Sequence, residues 1–260
     1  LTEMTMDAVH RIYISGASGG LGRALALHHA RPGVALWLWG RNPERLDALA
    51  EACRAAGAEA CVRALPLDDT ARAIAALEHE DAAARFDLAY LVAGQGDTRS
   101  PGATSEDPMI VARLIRINLE APAAMATVLA RRMGARGGGR IVLIGSAAAF
   151  HALPFATAYA ASKAGLARFA DALRIAARPL GVAVTLASPG FIDTPAGRRI
   201  PGGKPMVLTP EEAARRIAHA ASRRQAHLVT PRAFALLRLF DRALPRPWRD
   251  RLLRALAPPG

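Results

Sequence analysis

From residue 12 to about residue 190 the chain alternates short, uninterrupted apolar runs with longer segments of helical spacing, and few folds accept that pattern. The runs are Ile12-Tyr13-Ile14, Val34 to Trp39, Ala60 to Leu65, Leu88 to Ala93, Ile141 to Ile144 and Val182 to Ala187. Strands that are apolar on both faces must be covered on both faces, which indicates a parallel sheet. The segments between them read as helices over Leu21–Ala30, Pro43–Ala56, Thr70–Ala82, Pro108–Met133 and Ala156–Arg178. Gly137-Gly138-Gly139 stops the fourth of these. Right-handed crossovers then give an α/β, doubly wound parallel sheet with helices on both faces. His227-Leu228-Val229 supplies a closing strand, about the seventh. Ligands of such sheets sit beyond the carboxyl ends of the strands, at the topological switch point.

Composition narrows the class further. With 260 residues the chain has enough length for one full core, and 52% hydrophobic against 22% charged residues is a globular balance. Mean hydropathy is only +0.14, and no apolar run approaches the length of a membrane span. Leu1 to His10 carries Glu3 and Asp7 and lacks the pattern of a secretion signal, so the expectation is cytoplasmic. Cys53 and Cys61 suit neither a disulfide framework nor a CxxC pair, and no histidines have ligand spacing, so no metal is expected. The net charge of +12 is unevenly spread. From Arg198 onward fourteen Lys or Arg face four Asp or Glu, a balance of +10, which leaves +2 for the rest. No zinc-finger or RNA-binding motif accompanies that basicity, and nucleic acid is not expected as a partner.

Each motif falls at a strand end. Ser15-Gly16-Ala17-Ser18-Gly19-Gly20-Leu21-Gly22 follows the first strand and opens the first helix. Gly16 permits a tight turn, Gly20 lets backbone approach a pyrophosphate, and Gly22 allows close helix–sheet packing. The N–H groups from Gly20 and Leu21 onward, with the helix dipole behind them, suit an anion. Thirteen residues after Ser146, Tyr159 opens Tyr-Ala-Ala-Ser-Lys, ending at Lys163. Asn118 stands in Ile-Asn-Leu, and Pro189-Gly190-Phe191-Ile192-Asp193-Thr194 follows the sixth strand. Over about residues 10 to 195 these motifs resemble the short-chain dehydrogenase/reductase superfamily, with its GxxxGxG and YxxxK signatures.

The resemblance implies a Rossmann-like fold and four catalytic residues: Asn118, Ser146, Tyr159 and Lys163. Tyr159 would exchange a proton with the substrate oxygen, and Ser146 would hydrogen-bond that oxygen. Lys163 would hold the nicotinamide ribose, and Asn118 a water that relays protons. Tyr159 and Lys163, four apart, share a helix face, so the ammonium is expected to favour phenolate. Pro189, Gly190, Ile192 and Thr194 would close on the nicotinamide. The family's usual Asn-Asn-Ala-Gly is Leu91-Val92-Ala93-Gly94 here, which keeps Ala93 and Gly94 for the adenosine ribose and loses the asparagines. After the second strand stands Gly40-Arg41-Asn42, without the acid that binds a ribose 2′-hydroxyl. A guanidinium suits a 2′-phosphate, so NADP(H) is favoured over NAD(H), with Arg41 and Ser18 around the phosphate. Asp68 is read either as the partner of the adenine amino group or as a helix cap.

Residues 8–230 are expected to form one such domain, with a substrate loop over about 194–210. Residues 231–260 form a basic, amphipathic helical extension. Phe234, Leu237, Phe240 and Leu244 mark one helical face, with Arg238 and Arg242 elsewhere around it. Beyond Pro245, Trp248, Leu252, Leu253 and Leu256 alternate with Arg249, Arg251 and Arg254. These faces pack over the pocket or a partner subunit, or they lie on the inner face of an anionic membrane as a peripheral contact. The expected activity is reduction of a ketone, or oxidation of a secondary alcohol, on an apolar or lipid-like small molecule. Two alternatives stand beside it: a reductase of carrier- or coenzyme A-bound 3-oxoacyl groups, and a non-catalytic NADP(H)-binding scaffold. The resemblance also implies a homodimer or homotetramer built through the helices that carry Asn118 and Tyr159.

Overall fold

The computed structural model describes residues 11–96, 103, 105–199, 203–236 and 244–255. Seven parallel strands lie in the order β3-β2-β1-β4-β5-β6-β7. They are β1 (Arg11–Ser15), β2 (Ala35–Gly40), β3 (Glu59–Ala64), β4 (Leu88–Leu91), β5 (Gly139–Ile144), β6 (Val182–Pro189) and β7 (His227–Thr230). The order reverses between β1 and β4, with Ile14 beside Leu38 on one side and Tyr90 on the other. That reversal opens the crevice at the carboxyl ends of β1 and β4.

Successive strand residues serve opposite layers, as a pleated strand requires. Ile12, Ile14, Leu36, Leu38 and Val142 pack with α1 (Gly20–His29), α2 (Pro43–Ala55) and α8 (Pro210–Ser222), through Leu25, Leu46 and Ile217. Tyr13, Trp39, Leu91, Ile141 and Leu143 pack with α3 (Thr70–Ala84), α5 (Ala121–Gly134) and α6 (Thr157–Ala177), through Leu77, Met125, Leu129 and Leu166. Each such buried side chain contributes about 1.5–3 kcal/mol. The two outer layers explain why central strands such as β2 and β4 read as apolar throughout, whereas β3, at the sheet edge, carries Glu59 and Arg63.

Helix starts follow local chemistry. Asn42 accepts from Arg45 N–H at 2.7 Å ahead of Pro43, and Thr209 accepts from Glu212 N–H at 3.1 Å ahead of Pro210. Asp81, wholly buried at the end of α3, accepts from Phe86 N–H, from Arg132 at 2.5 Å and from Arg136 at 2.6 Å, which ties α3 to α5.

Two elements differ from the sequence expectation. The long helix over Pro108–Met133 is α4 (Pro108–Ile115) and α5 joined by a π-helical turn, Arg116–Glu120. Pro122 stands in the first turn of α5, where it has no N–H for the Asn118 carbonyl, and the wider turn absorbs that break. Strand β4 ends at Leu91 rather than Ala93, because the next residues leave the ladder to meet the first glycine turn and Asn118. Further along lie α7 (Pro195–Arg198), after β6, and α9 (Arg246–Ala255) in the extension, and residues 233–236 are also helical. Phe234 is buried against Gly190, so the extension begins in contact with the core. Leu237, Arg238, Phe240, Arg242 and Leu256 lie outside the described residues, as do residues 8–10 of the expected domain.

Candidate active site

The glycine turn is shaped by its neighbours. Gly16 has φ +70°, and a Cβ there would stand 2.7 Å from Ala93 N, so the turn and the β4 loop meet backbone to backbone. Ala93 N–H donates to the buried Ser15 hydroxyl at 3.3 Å, which fixes the same junction. At Gly20 a Cβ would stand 2.5 Å from Thr194 Cγ2, so the loop after β6 rests directly on the turn. Gly22 packs against the backbone of Gly16 and Ala17. Helix α1 begins at Gly19 with no side-chain cap and no acid in its first turn. Its leading N–H groups, those of Gly20 and Leu21 among them, therefore face a cradle suited to a phosphate.

The adenosine side is equally local. A Cβ on Gly40 would stand 2.6 Å from Ser18 Oγ, so Ser18 lies against the end of β2, which exposed Arg41 follows. Asp68 is exposed, and the cap of α3 is its neighbour Asp69, which accepts from Arg72 N–H at 3.0 Å. The capping role considered for Asp68 thus belongs to the next residue. The site fits a dinucleotide: a tight glycine turn, an uncapped helix start and a cation at the far strand end.

Four elements bring the chemical residues together. Asn118 is buried in the π-helical turn, where its Oδ1 accepts from Gln95 N–H and its Nδ2 donates to Gln95 O, both at 2.8 Å. Nδ2 also reaches Ser162 Oγ at 3.3 Å. Lys163 Nζ donates to Ile144 O at 2.9 Å and lies 6.0 Å from the centre of the Tyr159 ring. A Cβ at Gly94 would stand 3.3 Å from both Asn118 Oδ1 and Lys163 Nζ, which locates Gly94 at the centre of the group. Ser146, two residues beyond β5, accepts from Ala148 N–H at 3.1 Å, and hydrogen-bonds the Tyr159 side chain.

Electrostatics run against one expectation. Burial pushes the Tyr159 phenol above its ordinary value, and the Ser146 hydrogen bond offsets only part of that. Burial also holds the Lys163 ammonium down to about 8. Desolvation therefore outweighs ammonium attraction, and the resting phenol keeps its proton.

Beyond β6, Gly190 N–H donates to Thr230 O at 2.8 Å, and Ile192 pairs with Leu208 in an isolated bridge. Thr194 caps α7 through Gly197 N–H, and Asp193 binds Arg198 at 2.6 Å. Pro189 ends β6 beside Thr230. Sequence reading missed Gln95 and Ser162, which lock Asn118; Gln95 uses its backbone, which no side-chain motif reveals. It also missed Glu106, which contacts the start of α6. No group of three or more His, Cys, Asp or Glu suited to a metal occurs among the described residues. None of their helices is long and apolar enough to cross a membrane.

Comparison with known proteins follows the same outline. Residues 10–203 match the family model for short chain dehydrogenase. An uncharacterized oxidoreductase of Myxococcus xanthus (strain DK1622) is 33% identical over 247 residues, covering 94% of this chain and 96% of that protein. A short-chain dehydrogenase from Sphingobium yanoikuyae, solved in complex with NADPH, superposes with a TM-score of 0.77 at 28% identity, covering 90% of this chain and 94% of that one. The bulky-bulky ketone specific alcohol dehydrogenase from Comamonas testosteroni shares the fold, with a TM-score of 0.75 at 24% identity over 95% of this chain and 92% of that one.

Proposed function

The chain belongs to the short-chain dehydrogenase family of oxidoreductases, which act on CH–OH and C=O groups, and we propose that it is an NADPH-dependent ketone reductase or the corresponding alcohol dehydrogenase. The observation that carries this reading is the meeting of Ser146, Tyr159, Lys163 and Asn118 beside the glycine cradle. A nicotinamide dinucleotide, when bound there, supplies or accepts the hydride. Tyr159, protonated at rest, donates its proton to the carbonyl oxygen as the carbon is reduced, and takes one back in the reverse direction. Such proton transfer contributes about 10²- to 10⁴-fold. The Ser146 hydroxyl, already on the phenol, orients the same oxygen and stabilises the charge that develops on it. Lys163, with Nζ at the centre of the group, holds a ribose hydroxyl and returns a proton towards Tyr159. Asn118 fixes the β4 loop on which Gly94 approaches the cofactor. Exposed Met206 and Val207, on the loop after β6, favour an apolar substrate.

The preference for NADP(H) rests on Arg41 beside Ser18. Titration by nucleotide fluorescence tests it: NADPH binds more tightly than NADH, by about tenfold or more, and Arg41→Ala removes the difference. Equal affinities in the wild type would overturn the preference and leave the reductase reading standing.

A second reading concerns where the enzyme works. Helix α9 has no buried residue; Trp248 is 67% and Leu252 48% exposed, four residues apart on one face. Arg246, Arg249, Arg251 and Arg254 surround them. We read this as a peripheral contact with an anionic lipid surface, tested by co-sedimentation with vesicles. Self-association is proposed through the outer face of α5 and α6. There Thr127, Gly134, Leu173 and Leu180 line an apolar hollow of about 450 Å³.

A further inference from the structure

We infer that Glu106 is a positioning residue for Tyr159, because its carboxylate closes the start of the helix on which Tyr159 stands. Helix α6 begins at Ala156, which offers no side-chain cap, and its first turn contains no acid. A helix start leaves N–H groups without partners, and Ala158, one residue before Tyr159, is buried away from water. Glu106 reaches across from the segment before α4. Its Oε2 accepts from the Thr157 hydroxyl and from Ala158 N–H, the latter at 3.0 Å. The charge also meets the positive end of the α6 dipole.

Two details separate this from a chance surface contact. Glu106 Oε1 is buried with no hydrogen-bond partner, so the carboxylate is held in place at a desolvation cost that its other contacts must offset. Its neighbour Asp107 caps a different helix, α4, through Met109 N–H at 2.7 Å. Adjacent acids thus pin two helices, and α4 continues into the π-helical turn that carries Asn118. One short segment sets the relative placement of Tyr159 and Asn118.

The inference rests on Tyr159 being the proton donor, so its test includes a readout that needs no turnover. The chain has three tyrosines, of which Tyr13 and Tyr90 are fully buried. With ¹³Cζ-labelled tyrosine, the Tyr159 resonance is the one of the three that is lost in Tyr159→Phe. Glu106→Ala is expected to move that resonance and to lower kcat ten- to a hundredfold, with dinucleotide Kd unchanged. Glu106→Gln, which keeps a carbonyl acceptor, restores both. An unmoved Tyr159 resonance in a folded Glu106→Ala protein overturns the assignment, as does a Gln variant impaired as badly as Ala. If Glu106→Ala does not fold, Thr157→Val removes only the hydroxyl donor and must shift the resonance in the same direction. A wild type that reduces no ketone would defeat the proposed reaction, while the NMR comparison would still decide the role of Glu106.

Discussion

Lys163 shows how a single buried group links chemistry to stability. Its folded value of about 8 lies below the ordinary 10.5, so between those pH values the unfolded chain holds a proton that the folded chain has released. Stability therefore rises with pH across that window, and below pH 8 the full cost of burying the ammonium is present. Two to three pH units correspond to roughly 3 kcal/mol. Lys163→Met should accordingly gain on the wild type by roughly 2–3 kcal/mol more at pH 7 than at pH 10, measured by urea unfolding without nucleotide. The same difference at both pH values would show that Lys163 is not desolvated. At this scale the sequence was informative about identity and less so about environment. Spacing placed Tyr159 and Lys163 on one face, but no spacing reports how much water reaches them, and desolvation decides the direction of both shifts. Asp68 and Asp69 differ by one position, and only backbone geometry selects the cap.

Among elements, the joins are more telling than the helices themselves. Helices α3 and α5 are held by Asp81, whose carboxylate has no exposure and meets two guanidiniums and the Phe86 N–H. Removing it leaves Arg132 and Arg136, whose side chains are only 27% and 17% exposed, without their shared anion. Asp81→Ala should cost about 3 kcal/mol in urea unfolding, and Asp81→Asn less, because the amide oxygen still accepts from Phe86. A loss under about 1 kcal/mol would mean that the arginines find water instead. All six early strands and their order of appearance were legible, because largely apolar runs of three to six residues flanked by turn glycines are hard to read otherwise. The π-helical turn was not. Pro122 was visible in the sequence, but whether a chain answers a proline by kinking, ending or widening depends on what packs nearby. Here Asn118 must reach Gln95 and Ser162, and the wider turn lets it.

For the whole molecule, charge and exposed apolar surface coincide. Among the described residues, five of the ten large hydrophobic side chains that are exposed, Met206, Val207, Leu236, Trp248 and Leu252, belong to the part of the chain that carries +10 of the +12 charge. Each arginine near an anionic surface contributes about 1 kcal/mol, screened over roughly a Debye length. The protein should sediment with phosphatidylglycerol vesicles at low salt, release at high salt, and lose most of the association in Trp248→Ala/Leu252→Ala. Equal binding to neutral phosphatidylcholine, or none to either, would sink the lipid reading. The concentration of charge was plain from the sequence; whether α9 faces inward was not, since an amphipathic stripe suits a core and a surface alike. The contact of Phe234 with Gly190 has a consequence for descent. A ring at 234 occupies the space that a side chain at 190 would need, so neither position can drift alone. The loop after β6 and the segment that opens the tail should therefore vary as a pair among relatives. New specificities in this lineage would arise by exchanging both together, and a graft of either one onto a relative would meet a ring without a socket, or a socket without its ring.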